Sequence, residues 1–126
     1  MKLAHIALWT KDVDAAANFW RAYFSAEIGE LYHSRRQQGF TSRFATLPGG
    51  TQIELMSSPL VDDGAPQDRL GWAHVALSFE TVEAVDAAAA RFDATGLLVS
   101  APRRTGDGYY EAVVRTPEGI LIEIVV

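Results

Sequence analysis

At 126 residues and 48% hydrophobic content, the chain suffices for one domain or for two small halves around a shared core. A formal charge of −5 with scattered basic residues excludes a nucleic-acid partner, because Arg35-Arg36 alone is too short to form a patch. The absence of cysteine excludes disulfides and thiolate metal sites, and no signal-peptide or membrane-length apolar run occurs, so a cytoplasmic protein is expected.

In chain order, Leu3 to Trp9 reads as a strand, alternating in character and rich in strand formers. An amphipathic helix follows, its apolar stripe made by Val13, Ala16, Trp20 and Tyr23, with Thr10 or Asp12 as its cap. Gly29 marks the exit of that helix or the start of the next strand. A strand over Phe40 to Leu47 then turns at Leu47-Pro-Gly-Gly, with proline early and glycine late, into a closing strand around Ile53-Glu54-Leu55. Residues 59–71 carry two prolines and Asp62-Asp63-Gly64 and read as a linker.

Beyond the linker the text repeats at an offset of 69. Leu3-Ala-His-Ile-Ala-Leu8 falls on Trp72-Ala-His-Val-Ala-Leu77, and Thr46 to Leu55 falls on Arg115 to Ile124. The helical stripe recurs as Val82, Val85, Ala89 and Phe92, with Thr81 as cap and Gly96 at the exit, and the turn recurs as Thr116-Pro-Glu-Gly. The separation of His from Glu is 54 − 5 = 49 in the first half and 123 − 74 = 49 in the second. The sequence therefore predicts an α+β fold of two tandem βαβββ modules, residues 1–58 and 72–126.

Strand alternation sends neighbouring side chains to opposite faces. His5 then shares a face with Leu3, Ala7 and Trp9, and His74 with Trp72, Ala76 and Ser78. Glu54 lies with Gln52 and Met56, opposite Ile53 and Leu55. Glu123 lies with Leu121 and Val125, opposite Ile122 and Ile124. The aliphatic sides are expected under the helices, which directs both carboxylates to the open faces. An unpaired carboxylate in a run such as Ile-Leu-Ile-Glu-Ile-Val-Val costs several kcal/mol to bury, so it calls for neutralisation, an ion pair or a metal. Two imidazoles and two carboxylates suit one divalent ion among zinc, nickel, cobalt, manganese and ferrous iron. The alternative is direct pairing of the glutamates with histidine or arginine, which predicts a fold that needs no metal.

In these features the chain resembles the vicinal oxygen chelate superfamily, which spans glyoxalase I, bleomycin resistance proteins and extradiol dioxygenases, and within it the glyoxalase I branch. The resemblance implies a cup-shaped mixed sheet with helices outside and a metal held by His5, Glu54, His74 and Glu123. It also implies a homodimer whose metal sites draw ligands from both subunits, and exposed apolar strand surface points to dimerisation as well. The activity implied is that of a lyase or isomerase, shifting a proton between adjacent carbons of a small oxygen-rich metabolite through a metal-stabilised enediolate. Glu123 takes the role of general base, with Glu54 sharing it. The arginine and asparagine that grip glutathione in the family have no match in His5 to Trp9 or Glu54 to Ser58, so a substrate other than a glutathione adduct is expected. A ferrous ring-cleaving dioxygenase and a non-catalytic small-molecule binding or resistance protein are the alternatives.

Substrate-lining candidates are Trp9, Phe44, Met56 and Trp72, although aromatic residues on such a wall serve equally as packing or interface. Arg43, in the Phe40 to Leu47 strand, joins them if the register turns it to the open face. Arg35 and Arg36 in a polar run are expected to be solvated, and His33, whose counterpart is Pro102, to lie on the surface.

Overall fold

The computed structural model describes residues 3–62, 72–106 and 108–126. The chain forms two compact units, Met1–Gly64 and Ala65–Val126. The linker expected over 59–71 lies mostly outside the described residues.

The first unit runs β1 (Ile6–Trp9), α1 (Val13–Phe24), β2 (Glu27–Ile28), β3 (Tyr32–His33), β4 (Thr41–Thr46) and β5 (Gln52–Ser57). Its strands form one mixed sheet in the order β1-β5-β4-β2, with β3 also on β4. The second unit runs β6 (Val75–Ser78), α2 (Val82–Asp93), β7 (Leu98–Arg104), β8 (Tyr110–Arg115) and β9 (Leu121–Val125), with sheet order β6-β9-β8-β7. Each unit is thus a βαβββ element. In the first, the strand that follows the helix is broken into β2 and β3.

Local chemistry explains the boundaries. Asp12 caps α1 by accepting from the Ala15 amide, while the Thr10 hydroxyl accepts from the Asp12 amide and so orders the approach. Thr81 caps α2 through the Ala84 amide. At the exit of α1 the left-handed residue is Ser25, at φ 53°, where α2 uses Gly96 at φ +72°. The two closing hairpins are built alike: Leu47 N donates to Thr51 O at 2.8 Å and Thr116 N to Ile120 O at 2.9 Å.

The core of each unit lies between its helix and one face of its sheet. In the first, Val13, Ala16, Ala17, Phe19, Trp20 and Phe24 of α1 are buried with Ala45, Ile53 and Leu55 of the sheet. Tyr23 is only half-buried, because Phe19, Trp20 and Phe24 pack their rings together and take the central stripe. In the second, Val85, Ala88, Ala89 and Phe92 cover Ala112, Val114, Ile122 and Ile124. Among the described residues no helix is long and apolar enough to cross a membrane.

Candidate metal centre

The strand registers place both glutamates. β1 pairs parallel to β5 with Ala7 opposite Glu54, and β6 pairs parallel to β9 with Ala76 opposite Glu123. On the other side Phe44 stands opposite Glu54 and Val113 opposite Glu123. Ile53 and Leu55, like Ile122 and Ile124, are buried on the helix side. Glu54 and Glu123 therefore project from the face that the helices leave open. Alanine at positions 7 and 76 leaves space beside each carboxylate.

The histidines precede β1 and β6 by one residue and reach along the same faces. His5 Nε2 lies 3.6 Å from Glu54 Oε2, and His74 Nε2 lies 3.2 Å from Glu123 Oε2. The surroundings match as well: the His and Glu side chains are 41% and 20% exposed in the first pair and 40% and 23% in the second. The first distance is too long for a hydrogen bond. Both pairs approach through Nε2 and Oε, the atoms a divalent ion takes from His and Glu. Two such donors bound at about 2.1 Å to a common ion stand roughly 3.0 to 3.4 Å apart. The second pair meets that spacing and the first exceeds it slightly, so the donor set fits a metal. Within each unit two donors meet, and among the described residues no third His, Asp or Glu joins them there.

The other candidates divide by face. Phe44 shares the Glu54 face and meets His5 edge-on, with ring centroids 5.4 Å apart. Met56 and Trp9 are register partners on that same face. Trp9 packs edge-on against Phe40 and forms a wall of an open cavity of about 420 Å³ with Gln37, Leu60 and Val61. Trp72 is fully exposed and lies ahead of β6, outside the reach of strand alternation. Arg43 goes the other way. It pairs with Leu55 on the helix side, where Nε donates to Asp14 of α1 at 3.0 Å and Nη1 to the Gly29 carbonyl at 3.0 Å. Its guanidinium fastens α1 to the sheet and does not face the Glu54 side. His33 is exposed, as expected.

The sequence reading passed over a polar group in the second unit. Glu111 is the one buried charged residue among those described, and it holds Arg103 at 3.3 Å. Alternation in β8 would have put Glu111 with Val113, on the Glu123 face. The partner arrives through an irregularity in β7, between Ser100 and Arg103, that alternation does not reveal.

With this geometry in view, comparison with known proteins is decisive at the family level. Residues 2–124 match the model of the Glyoxalase/Bleomycin resistance protein/Dioxygenase superfamily. The chain belongs to that superfamily. Among solved structures it is similar to a glyoxylase/bleomycin resistance protein/dioxygenase domain from Frankia sp. EAN1pec, with TM-score 0.87 and 17% identity over 100% of this chain and 97% of that one. It is similar to a V278E mutant of glyoxalase I from Zea mays, with TM-score 0.78 and 17% identity over 98% of this chain and 44% of that longer one. A third is the fosfomycin resistance protein FosX of Listeria monocytogenes, solved with Mn(II) and sulfate, with TM-score 0.74 and 20% identity over 99% and 91% of the two chains. At these identities the likeness establishes the fold. No match was found among curated protein sequences.

Proposed function

We propose that this superfamily member is a divalent-metal-dependent lyase or isomerase of glyoxalase type, acting on a small oxygen-rich metabolite without glutathione. The observation that carries the reading is the duplicated pair: in each unit an imidazole Nε2 faces a carboxylate Oε2 at 3.2 to 3.6 Å on the open face of the sheet. His5 with Glu54, and His74 with Glu123, are complementary halves of one ligand set. Bound there, a divalent ion would stabilise negative charge developing on adjacent substrate oxygens. Glu123 is the general base, taking a proton from one carbon and returning it to the next, with Glu54 able to share the task. The aliphatic strand residues behind each glutamate hold its backbone rigidly, which fixes where the carboxylate can reach. His5 to Trp9 and Glu54 to Ser58 still lack a grip for glutathione carboxylates.

The first test is elemental analysis of untagged protein, as purified and after exposure to several divalent ions. The expected result is about one ion per ligand set, lost in Glu123→Ala. Nickel, zinc, cobalt or manganese directs the search to proton-shift assays. Iron with oxygen consumption favours the dioxygenase reading, since two histidines and one carboxylate also make a facial triad. No ion under any condition overturns the proposal in favour of a binding protein.

We further propose a homodimer in which one copy's first pair acts with the partner's second pair. Mixing inactive His5→Ala and His74→Ala chains tests this directly. Shared sites regenerate one intact site per mixed dimer and recover activity. Sites contained within single chains recover none.

A further inference from the structure

Alternation and register place Glu111 on the face that carries Glu123. Val113 is directly opposite Glu123, and Glu111 stands two residues further along β8, opposite Val125. Diagonal positions of this kind lie roughly 7 to 8 Å apart between Cα atoms. Arg103 is the next neighbour outward, opposite Glu111 on β7. Its Nη2 lies 3.3 Å from Glu111 Oε1, and its Nη1 donates to Ser100 Oγ at 3.0 Å. The register shift between Ser100 and Arg103 turns both to one side.

The asymmetry within this triplet is informative. Glu111 is only 9% exposed, whereas the Arg103 side chain is about half exposed. A carboxylate kept from water needs a partner, and the guanidinium is that partner. Yet the guanidinium carries five donors, and Glu111 and Ser100 use one edge of it. With the side chain about half exposed, its other donors are open to a ligand. Arg104 projects to the opposite face, its guanidinium 5.6 Å from the Tyr110 ring centroid. The repeat breaks here. At the same offset of 69, Glu111 corresponds to Ser42 and Arg103 to Ser34, so the first unit duplicates the His–Glu pair but not this clamp.

We propose that Arg103, positioned by Glu111 and Ser100, grips an anionic oxygen group of the substrate, a carboxylate or a phosphoryl group. Its place in the sheet sets that group apart from the oxygens at Glu123. The substrate class is therefore an oxygen-rich metabolite with one anionic terminus remote from the reacting carbons. This rests on the metal-site reading for where the reacting end lies.

The test needs no metal. Benzoate, phenylphosphonate and neutral benzamide are titrated into the metal-free full-length protein while the Arg103 Nε–H resonance is followed by ¹⁵N NMR. One or both anions are expected to shift that resonance saturably in the millimolar range, with benzamide silent. The anion that acts identifies the group as carboxylate or phosphoryl. The backbone amides of Ala112 and Val113 should follow in the wild type and stop responding in Arg103→Met/Glu111→Gln, which leaves no buried carboxylate unpaired. Arg103→Lys should respond several-fold more weakly. No shift with either anion, an equal shift with benzamide, or a backbone response that survives in the double variant overturns the proposal. Metal content, measured separately, shows whether the metal-site reading stands.

Discussion

Phe44 and Val113 occupy the same place in the repeat, each directly opposite the glutamate of its unit, but only Phe44 presents an aromatic ring to the neighbouring histidine. The His5 ring is packed edge-on at 5.4 Å between centroids, a contact that Val113 cannot make with His74. His74 instead sits nearer its glutamate, at 3.2 Å against 3.6 Å. The two His–Glu pairs are therefore held by different means, one beside an aromatic wall and one by closer approach of the two side chains.

A consequence follows for metal affinity. Phe44→Ala removes the wall that orients His5, and affinity for zinc should fall on the order of tenfold, as for other changes behind a metal ligand. Val113→Ala should have a much smaller effect. Calorimetric titration of both variants checks this, and equal losses would show that Phe44 does not orient His5.

The value of Glu123 to folding separates the metal reading from simple ion pairing. Both members of the His74–Glu123 pair are partly exposed, and pairs of that kind contribute about 0 to 1 kcal/mol. Metal-free Glu123→Gln should therefore unfold in urea within about 1 kcal/mol of the wild type. Adding an ion at a hundred times its Kd should stabilise the wild type by about 2.7 kcal/mol and leave the variant unmoved. A loss of about 3 to 5 kcal/mol without metal would mean that the carboxylate serves the fold.

Much of this architecture is legible in the sequence, because duplication writes the same physics twice. The offset of 69 aligns strand, cap, helix, turn and closing strand, and alternation alone sets Glu54 against Ile53 and Leu55. What alternation cannot supply is register between strands. Arg43 reads equally well on either face until Leu55 is found opposite it and Asp14 within 3.0 Å. Nor can alternation follow a strand through an irregularity, which hid the pairing of Ser100 and Arg103. The split of one expected strand into β2 and β3 is likewise invisible. It depends on tertiary pairing, with Gly29 N donating to Phe44 O and Tyr32 opposite Ser42.

Gly39 holds the connection into β4 against the exit of β5. It sits at φ +76°, and a Cβ there would lie 2.6 Å from Pro59 Cγ and 2.9 Å from Cδ. Gly39→Ala should combine a left-handed backbone penalty of about 1 to 2 kcal/mol with overpacking of about 1 to 3 kcal/mol. Gly119, at φ +88° with nothing within 4 Å, isolates the backbone contribution. Urea titration should show Gly39→Ala less stable than Gly119→Ala. The reverse order would mean that Pro59 yields without cost.

Tyr110 provides a pH signature on the helix side of the second sheet. Its hydroxyl donates to Asp86 of α2 at 2.6 Å. That hydrogen bond to a carboxylate raises the phenol above its ordinary value of 10.0, and desolvation adds in the same direction. The folded state then holds this proton more tightly than the unfolded chain. The contribution is fully present below the ordinary tyrosine value and is lost as pH rises through the higher folded one. Thermal unfolding followed across that alkaline window should show a decline in stability that Tyr110→Phe and Asp86→Asn both flatten. Ultraviolet titration of tyrosinate should show one group ionising late in the wild type and missing from Tyr110→Phe. An alkaline decline of the same size in both variants would place its origin elsewhere than the bond between α2 and β8.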